Sequence, residues 1–286
     1  PADEELRFWP AELTFPVVVK ARRLSGSRGV IRADDVAALI EAVQWVRAIQ
    51  AKADRDHREL GLVIEDYISG SEHALEGMLD RGQLTTLALF DKPDPLEGPH
   101  FEETLYVTPS RLPRATQDRI RQEVARACGA AGLTTGPIHA EVRVNDRGVW
   151  LLEVAARSIG GLCGRVLKHS LGMSLEELIL RQAVGQPLPR AGADGAAGVM
   201  MIPVYDGVAG LTDARSVPFI TGVTITAEPG QSIAPPPDGA GYLGFIFARA
   251  GSPAEAEAAL RSAHGKLRFA IRAGLPVRAG SLALPP

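Results

Sequence analysis

The sequence predicts an α+β fold with a small β-rich C-terminal lobe, on three observations. Short apolar runs bounded by Gly, Asn and Asp recur in pairs, the composition of antiparallel hairpins. Two longer stretches, 36–51 and 116–131, carry apolar residues at helical spacing. After a Pro/Gly/Ala-rich segment from Pro187 to Gly198, the texture changes to short strands and turns with one helix. This break sets the unit 198–286 off from the rest of the chain.

Taken in order, Phe15 to Lys20 (FPVVVK) reads as a buried strand with a lysine at its exit, followed by the loop Ser25-Gly26-Ser27-Arg28-Gly29-Val30. Gly26 and Gly29 allow backbone amides to approach a ligand closely, and Lys20, Ser25 and Ser27 can meet phosphate oxygens. No GK[ST] follows the glycines, so the loop is not a Walker loop. The chain has five lysines, and one of them opens this loop. Asp34 or Asp35 then caps a helix to about Ala51, with Val36, Leu39, Ile40, Val43, Val46 and Ile49 on its inner face. Ala51 to Leu60 is a charged connection. Leu62 to Ile68 is the next strand, closed by Ser69-Gly70; main-chain groups of such a strand can meet an adenine edge, and Glu72, beyond the turn, can meet ribose hydroxyls.

His73 to Leu89 reads as a long hairpin about Asp80-Arg81-Gly82. The polar, proline-rich loop after it makes Lys92, His100 and Glu102 candidate substrate contacts. A helix over 116–131 turns Ile120, Val124 and Ala127 inward. Ile138 to Arg157 (IHAEVRVNDRGVWLLEVAAR) is a second hairpin about Asn145-Asp146-Arg147-Gly148, and it sets Glu141 almost opposite Glu153. Like charges across an antiparallel pair repel, so a divalent cation between them is the natural complement. Arg157 follows four residues after Glu153 and leads into Ser158-Ile159-Gly160-Gly161, a combination suited to oxyanions held with a metal. Ser174 to Glu177 is a capping box opening a helix that ends near Gly185. In the last unit, MMIPV, Val223 to Ala227 and Tyr242 to Ala248 read as strands. Pro235-Pro236-Pro237 reads as a rigid turn, and a helix capped by Ser252 and Glu255 buries Leu260, Leu267 and Ile271.

Composition bounds the function. The chain has 286 residues, 45% hydrophobic, with a formal net charge of −3. Nothing in that balance points to nucleic acid or a membrane as partner. The apolar runs are too short to span a bilayer as helices, which makes a cytoplasmic enzyme the expectation. Cys128 and Cys163 are too few and too distant for a disulfide framework and are expected to pack as small apolar residues. His139-Ala140-Glu141 matches the HxE of zinc deaminases, but the PCxxC that completes that site is absent, as is HExxH.

FPVVVKARRLSGSRGV, VIEDYISGSE, DKPDPLEGPHFEE and HAEVRVNDRGVWLLEVAAR with its following SIGG, in this order, resemble the ATP-grasp superfamily over roughly Phe15 to Pro189. The resemblance implies two α+β subdomains clasping ATP, a lid within 1–70 and a catalytic subdomain within 71–197. It implies that Lys20 holds ATP phosphates, that the Ser25–Val30 loop, with Gly26, Ser27 and Gly29, folds over them, and that Glu65, Tyr67 and Ile68 line the adenine pocket with Glu72 on the ribose. Glu141 and Glu153 would bind Mg2+, with Mn2+ as a substitute, and Arg157 would steady the transferred phosphoryl group, with His100 near the amine. Where many members carry Asn two residues after the second Glu, this chain has Ala155. EVAAR with GG, the HFEE loop and the β-rich lobe look most like L-amino acid ligases, carboxylate–amine ligases acting through an acyl phosphate on amino acids. Biotin-carboxylase-like and purine-pathway ligases share most of the ATP site, and a non-catalytic nucleotide-binding module is the reading from another class. The resemblance further implies an N-terminal domain upstream of Pro1, and a homodimer is the expected assembly.

Overall fold

The computed structural model of the protein describes residues 13–53, 61–187, 195–202, 211–228, 231, 233–234, 237–239 and 241–269. The charged connection over 54–60, Pro235, Pro236 and Ile271 lie outside them. β1 (Val17–Ala21), β2 (Val30–Ala33) and β3 (Leu62–Asp66) form an antiparallel sheet in the order β2-β1-β3. Helix α1 (Val36–Ala53) packs Leu39, Val43 and Val46 on Val17, Val19 and Ile31. Asp35 is its cap, accepting from the Ala38 N–H at 2.9 Å. Val36, at the start of the expected inner face, is exposed.

The second sheet has eight antiparallel strands. β4 (Ser71–Asp80) and β5 (Gln83–Lys92) form the expected hairpin, β6 is Leu105–Thr108, and β7 (Gly136–Asn145) and β8 (Gly148–Ala155) form the second hairpin. β9 (Ala196–Ile202), β10 (Ile220–Ile225) and β11 (Gly244–Ala250) complete the order β10-β11-β9-β6-β5-β4-β7-β8. Helix α2 (Arg114–Ala130) covers one face of the β4–β5–β7 region. A 3-10 turn (Cys163–Val166), α3 (Leu167–Leu171) and α4 (Leu175–Ala183) lie on the opposite face. Short α5 (Leu211–Arg215) and α6 (Pro253–His264) pack on β9, β10 and β11. Among the described residues no helix is long and apolar enough to cross a membrane.

The large sheet runs on past the composition change at Pro187–Gly198, because β9 begins at Ala196 and pairs with β6 on one side and β11 on the other. Its continuous apolar run is explained by cover on both faces: Ala197, Val199 and Met201 enter one core, and Ala196, Met200 and Ile202 the other. On α2 the third inward residue is Cys128 rather than Ala127, since Ile120, Val124 and Cys128 follow the i, i+4 row of a helix face. Among the described residues the last unit carries two helices where one was expected, and Leu267 lies beyond the end of α6, partly buried against its core. The other expected caps hold: Ser174 accepts from the Glu177 N–H and Ser252 from the Glu255 N–H. Both cysteines are buried free thiols.

Candidate active site

Strand alternation sorts the polar residues of the large sheet. Leu75, Leu89, Ile138, Ala140 and Val142 turn toward α2, so Glu72, Glu76, Lys92, His139, Glu141 and Arg143 turn to the other face. There a cavity of about 860 Å3 is lined from both sheets, by Lys20, Glu65 and the Ser25–Arg28 loop from the first and by Glu141, Glu153 and Arg157 from the second.

Lys20 pairs with Glu65 at 2.6 Å across β1 and β3. Ser25, Gly26 and Ser27 line the cavity, Gly26 and Ser27 with φ of +64° and +56°. Gly29 is not part of the lining; its φ is +64°, and its N–H donates to the Pro237 carbonyl at 3.0 Å, tying the loop to the C-terminal lobe. Tyr67 and Ile68 line the cavity, with the guanidinium of Arg32 4.3 Å and that of Arg143 5.1 Å from the Tyr67 ring centroid. Arg143 Nη1 also donates to the Ile68 carbonyl at 2.6 Å.

Glu141 and Glu153 are direct cross-strand partners. Glu153 is exposed, while Glu141 is partly buried. Burial opposes the Glu141 charge, but Lys92 and His139 outweigh it and hold its pKa well below the usual carboxylate range. Two carboxylates on one face are hard oxygen donors that fit Mg2+ or Mn2+. Arg157 is exposed at the cavity wall and donates to the Ser158 carbonyl at 2.9 Å.

Glu72, Glu103 and Glu141 also converge, within 4.8 Å of one another, but their cation is already present. Lys92 Nζ donates to them at 2.8, 2.6 and 2.6 Å respectively. Burial disfavours its charge, yet Glu103, Glu141 and Glu72 keep the ammonium protonated well above its usual range. Lys92, expected as a surface substrate contact, is thus a buried counter-ion. Glu72 lines the cavity, and its carboxylate is held by Lys92 and by Arg143 Nε at 2.9 Å. His100 is not in the cavity wall. It bridges to Ile31 of β2, and its ring meets Trp45 edge-on at 5.4 Å, so it belongs to the contact between a loop and the first sheet rather than to a position beside an amine. Glu102, the other loop candidate, is partly buried and outside the lining as well.

Glu76 went unnoticed in the sequence, and His139 was weighed there only as part of an HxE match, not as its partner. Glu76 Oε2 accepts from the Ile159 N–H at 3.0 Å and Oε1 from His139 Nδ1, while His139 Nε2 lies 3.6 Å from Glu141. Burial raises the Glu76 pKa. For His139, burial works against the charged imidazole, but Glu141 and Glu76 outweigh it and lift the pKa to about 10. This chain anchors the loop after Arg157 to the strand that carries Glu141. Its only signal in the sequence was polar residues placed at inward positions of apolar strands.

Residues 13–166, more than half of the chain, match the ATP-grasp domain model, and residues 203–272 match the L-amino acid ligase C-terminal domain 2. The crystal structure of L-amino acid ligase from Bacillus licheniformis superposes with a TM-score of 0.78 at 31% identity, covering 91% of this chain and 66% of that one. Dapdiamide A synthase of Enterobacter agglomerans is 30% identical over 189 residues, 64% of this chain and 43% of its own length. D-alanine--D-alanine ligase of Ectopseudomonas mendocina is 28% identical over 185 residues, 59% of this chain and 53% of its own. The chain spans about half the length of the curated relatives it matches. With the motif order, the two-sheet architecture and the domain match in agreement, the chain belongs to the ATP-grasp family.

Proposed function

We propose that the protein is a Mg-ATP-dependent carboxylate–amine ligase that joins small molecules, amino acids foremost, into an amide or dipeptide through an acyl phosphate. The observation that carries this reading is the convergence of Lys20, the Ser25–Arg28 loop, Glu141, Glu153 and Arg157 on one cavity. A carboxylate and a triphosphate repel, and the first task of such a site is to neutralise and align them. Lys20 and Arg157 supply fixed positive charge, and the loop amides can cover phosphate oxygens. Glu141 and Glu153 would hold Mg2+, or Mn2+ in its place, which when bound neutralises phosphate charge. Glu65, Tyr67 and Ile68 form the adenine wall in this reading, with Glu72 facing the ribose. Residues 1–70 act as lid and 71–197 as catalytic subdomain. A cytoplasmic enzyme without nucleic-acid or membrane partners belongs to the same reading, as does a homodimer, which sedimentation tests.

The names of the relatives, an L-amino acid ligase and a D-alanine--D-alanine ligase, support it. The test is amino-acid-dependent release of phosphate and ADP from ATP across amino-acid pairs, with Glu153→Ala expected to abolish it. Ala155, where many members carry a metal-binding Asn, favours a second reading as a nucleotide-binding module without turnover. ATP binding by calorimetry with no ADP formed on any pair supports that alternative.

A further inference from the structure

Ser71, His73 and Asp91 stand together on the face of the large sheet turned away from the cavity, and none of them lines it. Strand geometry brings them there. Ser71 and His73 are two residues apart on β4 and share a face, while Glu72 between them turns to the cavity. Asp91 on β5 is the direct cross-strand partner of His73. His73 Nδ1 lies 3.0 Å from Asp91 Oδ1, and His73 Nε2 lies 2.9 Å from Ser71 Oγ. Asp91 and His73 are buried, whereas Ser71 is exposed.

The carboxylate settles the tautomer. Ser110 Oγ, the Arg111 N–H and Arg111 Nε all donate to Asp91, which favours its ionised form, a group that only accepts. In a neutral His73 the proton therefore sits on Nδ1, and the Nε2 lone pair is left to accept from the Ser71 hydroxyl. The Val144 carbonyl competes for that hydroxyl only from 3.5 Å, too far for a strong bond. A serine that donates to an imidazole held by a buried carboxylate has the arrangement of an activated nucleophile.

The geometry points to a second reactive centre in this protein, in which Ser71 is the nucleophile, His73 the general base and Asp91 the carboxylate that orients it, acting on small acyl esters. Ser71 Oγ attacks the ester carbonyl carbon as its proton passes to His73 Nε2. The acyl C–O bond of the ester then breaks, and His73 returns the proton to the leaving alkoxide. Water, giving a proton to His73 Nε2, attacks the acyl-serine next, and the proton returns to Ser71 Oγ as the acid leaves. Because Ser71 is open to solvent, water rather than a dry oxyanion hole meets the developing charge, which restricts the chemistry to esters with good leaving groups rather than amides. Neither ATP nor Mg2+ enters these steps, so the centre stands apart from the ligase reading.

Two measurements test it. The protein is treated with a fluorophosphonate, which phosphonylates activated serines, and the adduct is mapped by mass spectrometry. Hydrolysis of p-nitrophenyl acetate is followed separately, without ATP or Mg2+. The adduct is expected on Ser71, and Ser71→Ala is expected to slow ester hydrolysis by at least about 10-fold, a smaller fall overturning the centre. No adduct, an adduct on other residues only, or a labelled Ser71 with no ester turnover overturns it as well. His73→Gln removes the base, and a variant that folds by far-UV circular dichroism yet labels at the parent rate shows that Ser71 is not activated by His73. The adduct map on the unsubstituted protein decides the matter should either variant fail to fold.

Discussion

Glu141 and Glu153 face each other across β7 and β8 because the ladder slips by one residue between them: Val142 pairs with Leu151, but Glu141 pairs with Glu153, leaving Leu152 bulged. In the register set by the turn, Glu141 would oppose Leu152, and Glu153 would oppose Ala140, whose side chain belongs to the core under α2. Side chains alternate faces along a strand, so one extra residue moves Glu153 from the α2 side to the cavity side. Deleting Leu152 would leave Leu151 opposite Val142 and bring Glu153 opposite Glu141 with no bulge, so it is expected to keep amino-acid-dependent ATP turnover within about 10-fold of the parent, whereas Glu153→Ala cuts it by about 100-fold or more. Phosphate release and far-UV circular dichroism check the two variants; a folded deletion that loses turnover as deeply as Glu153→Ala would show that the Glu141–Glu153 pairing alone does not set the site.

Lys92 is the counter-ion of three carboxylates in a nearly dry setting, its side chain only 3% exposed. Removing one partner of a buried ionic cluster leaves the others uncompensated. Lys92→Met is expected to destabilise the fold by about 3–5 kcal/mol, read as a fall in the urea midpoint. A shift under about 1 kcal/mol would mean the three carboxylates take up protons or water at little cost.

On the opposite face, Asp91 accepts from Ser110 Oγ at 2.5 Å, from the Arg111 N–H at 2.9 Å and from Arg111 Nε at 3.0 Å, and His73 Nδ1 lies 3.0 Å away. Burial raises its pKa, but His73, Ser110 and Arg111 outweigh that and lower it from 3.8 to about 2. A carboxylate with a depressed folded-state pKa stabilises above its unfolded pKa, and the contribution disappears as pH falls toward the folded value. Asp91 should contribute about 2 kcal/mol above pH of about 5, lost toward pH of about 2. Asp91→Asn should flatten that part of the stability–pH curve, and an unchanged acid limb in denaturant titrations rejects the assignment.

Gly70 closes the step from β3 to β4 at φ +122°, and a Cβ there would stand 2.3 Å from the Val144 carbonyl oxygen. Neither the dihedral nor the backbone oxygen can give way cheaply. Gly70→Ala is expected to cost about 2 kcal/mol or more, seen as a lower melting temperature. A variant that melts with the parent would show that β4 and β7 separate easily at this end.

Local chemistry in the sequence determined much of this protein. Hairpin turns at Asp80-Arg81-Gly82 and Asn145 to Gly148, the caps at Asp35, Ser174 and Ser252, and the helical faces all rest on contacts between near neighbours. The ordered motifs likewise named Lys20, Glu141, Glu153 and Arg157, which one cavity gathers. Only the tertiary structure decided the rest. Lys92 could be seen as a charged residue after a strand, but not that Glu72, Glu103 and Glu141 from three other segments would surround it. His100 was named from its loop, yet pairing of that loop with β2 turns it to Trp45. The composition change near Pro187 marked a real shift in texture, but β9 carries the sheet across it. Above all, the Leu152 bulge is invisible in residue types, because register is a balance of pairing over the whole ladder, and it is that register which sets Glu141 and Glu153 on one face.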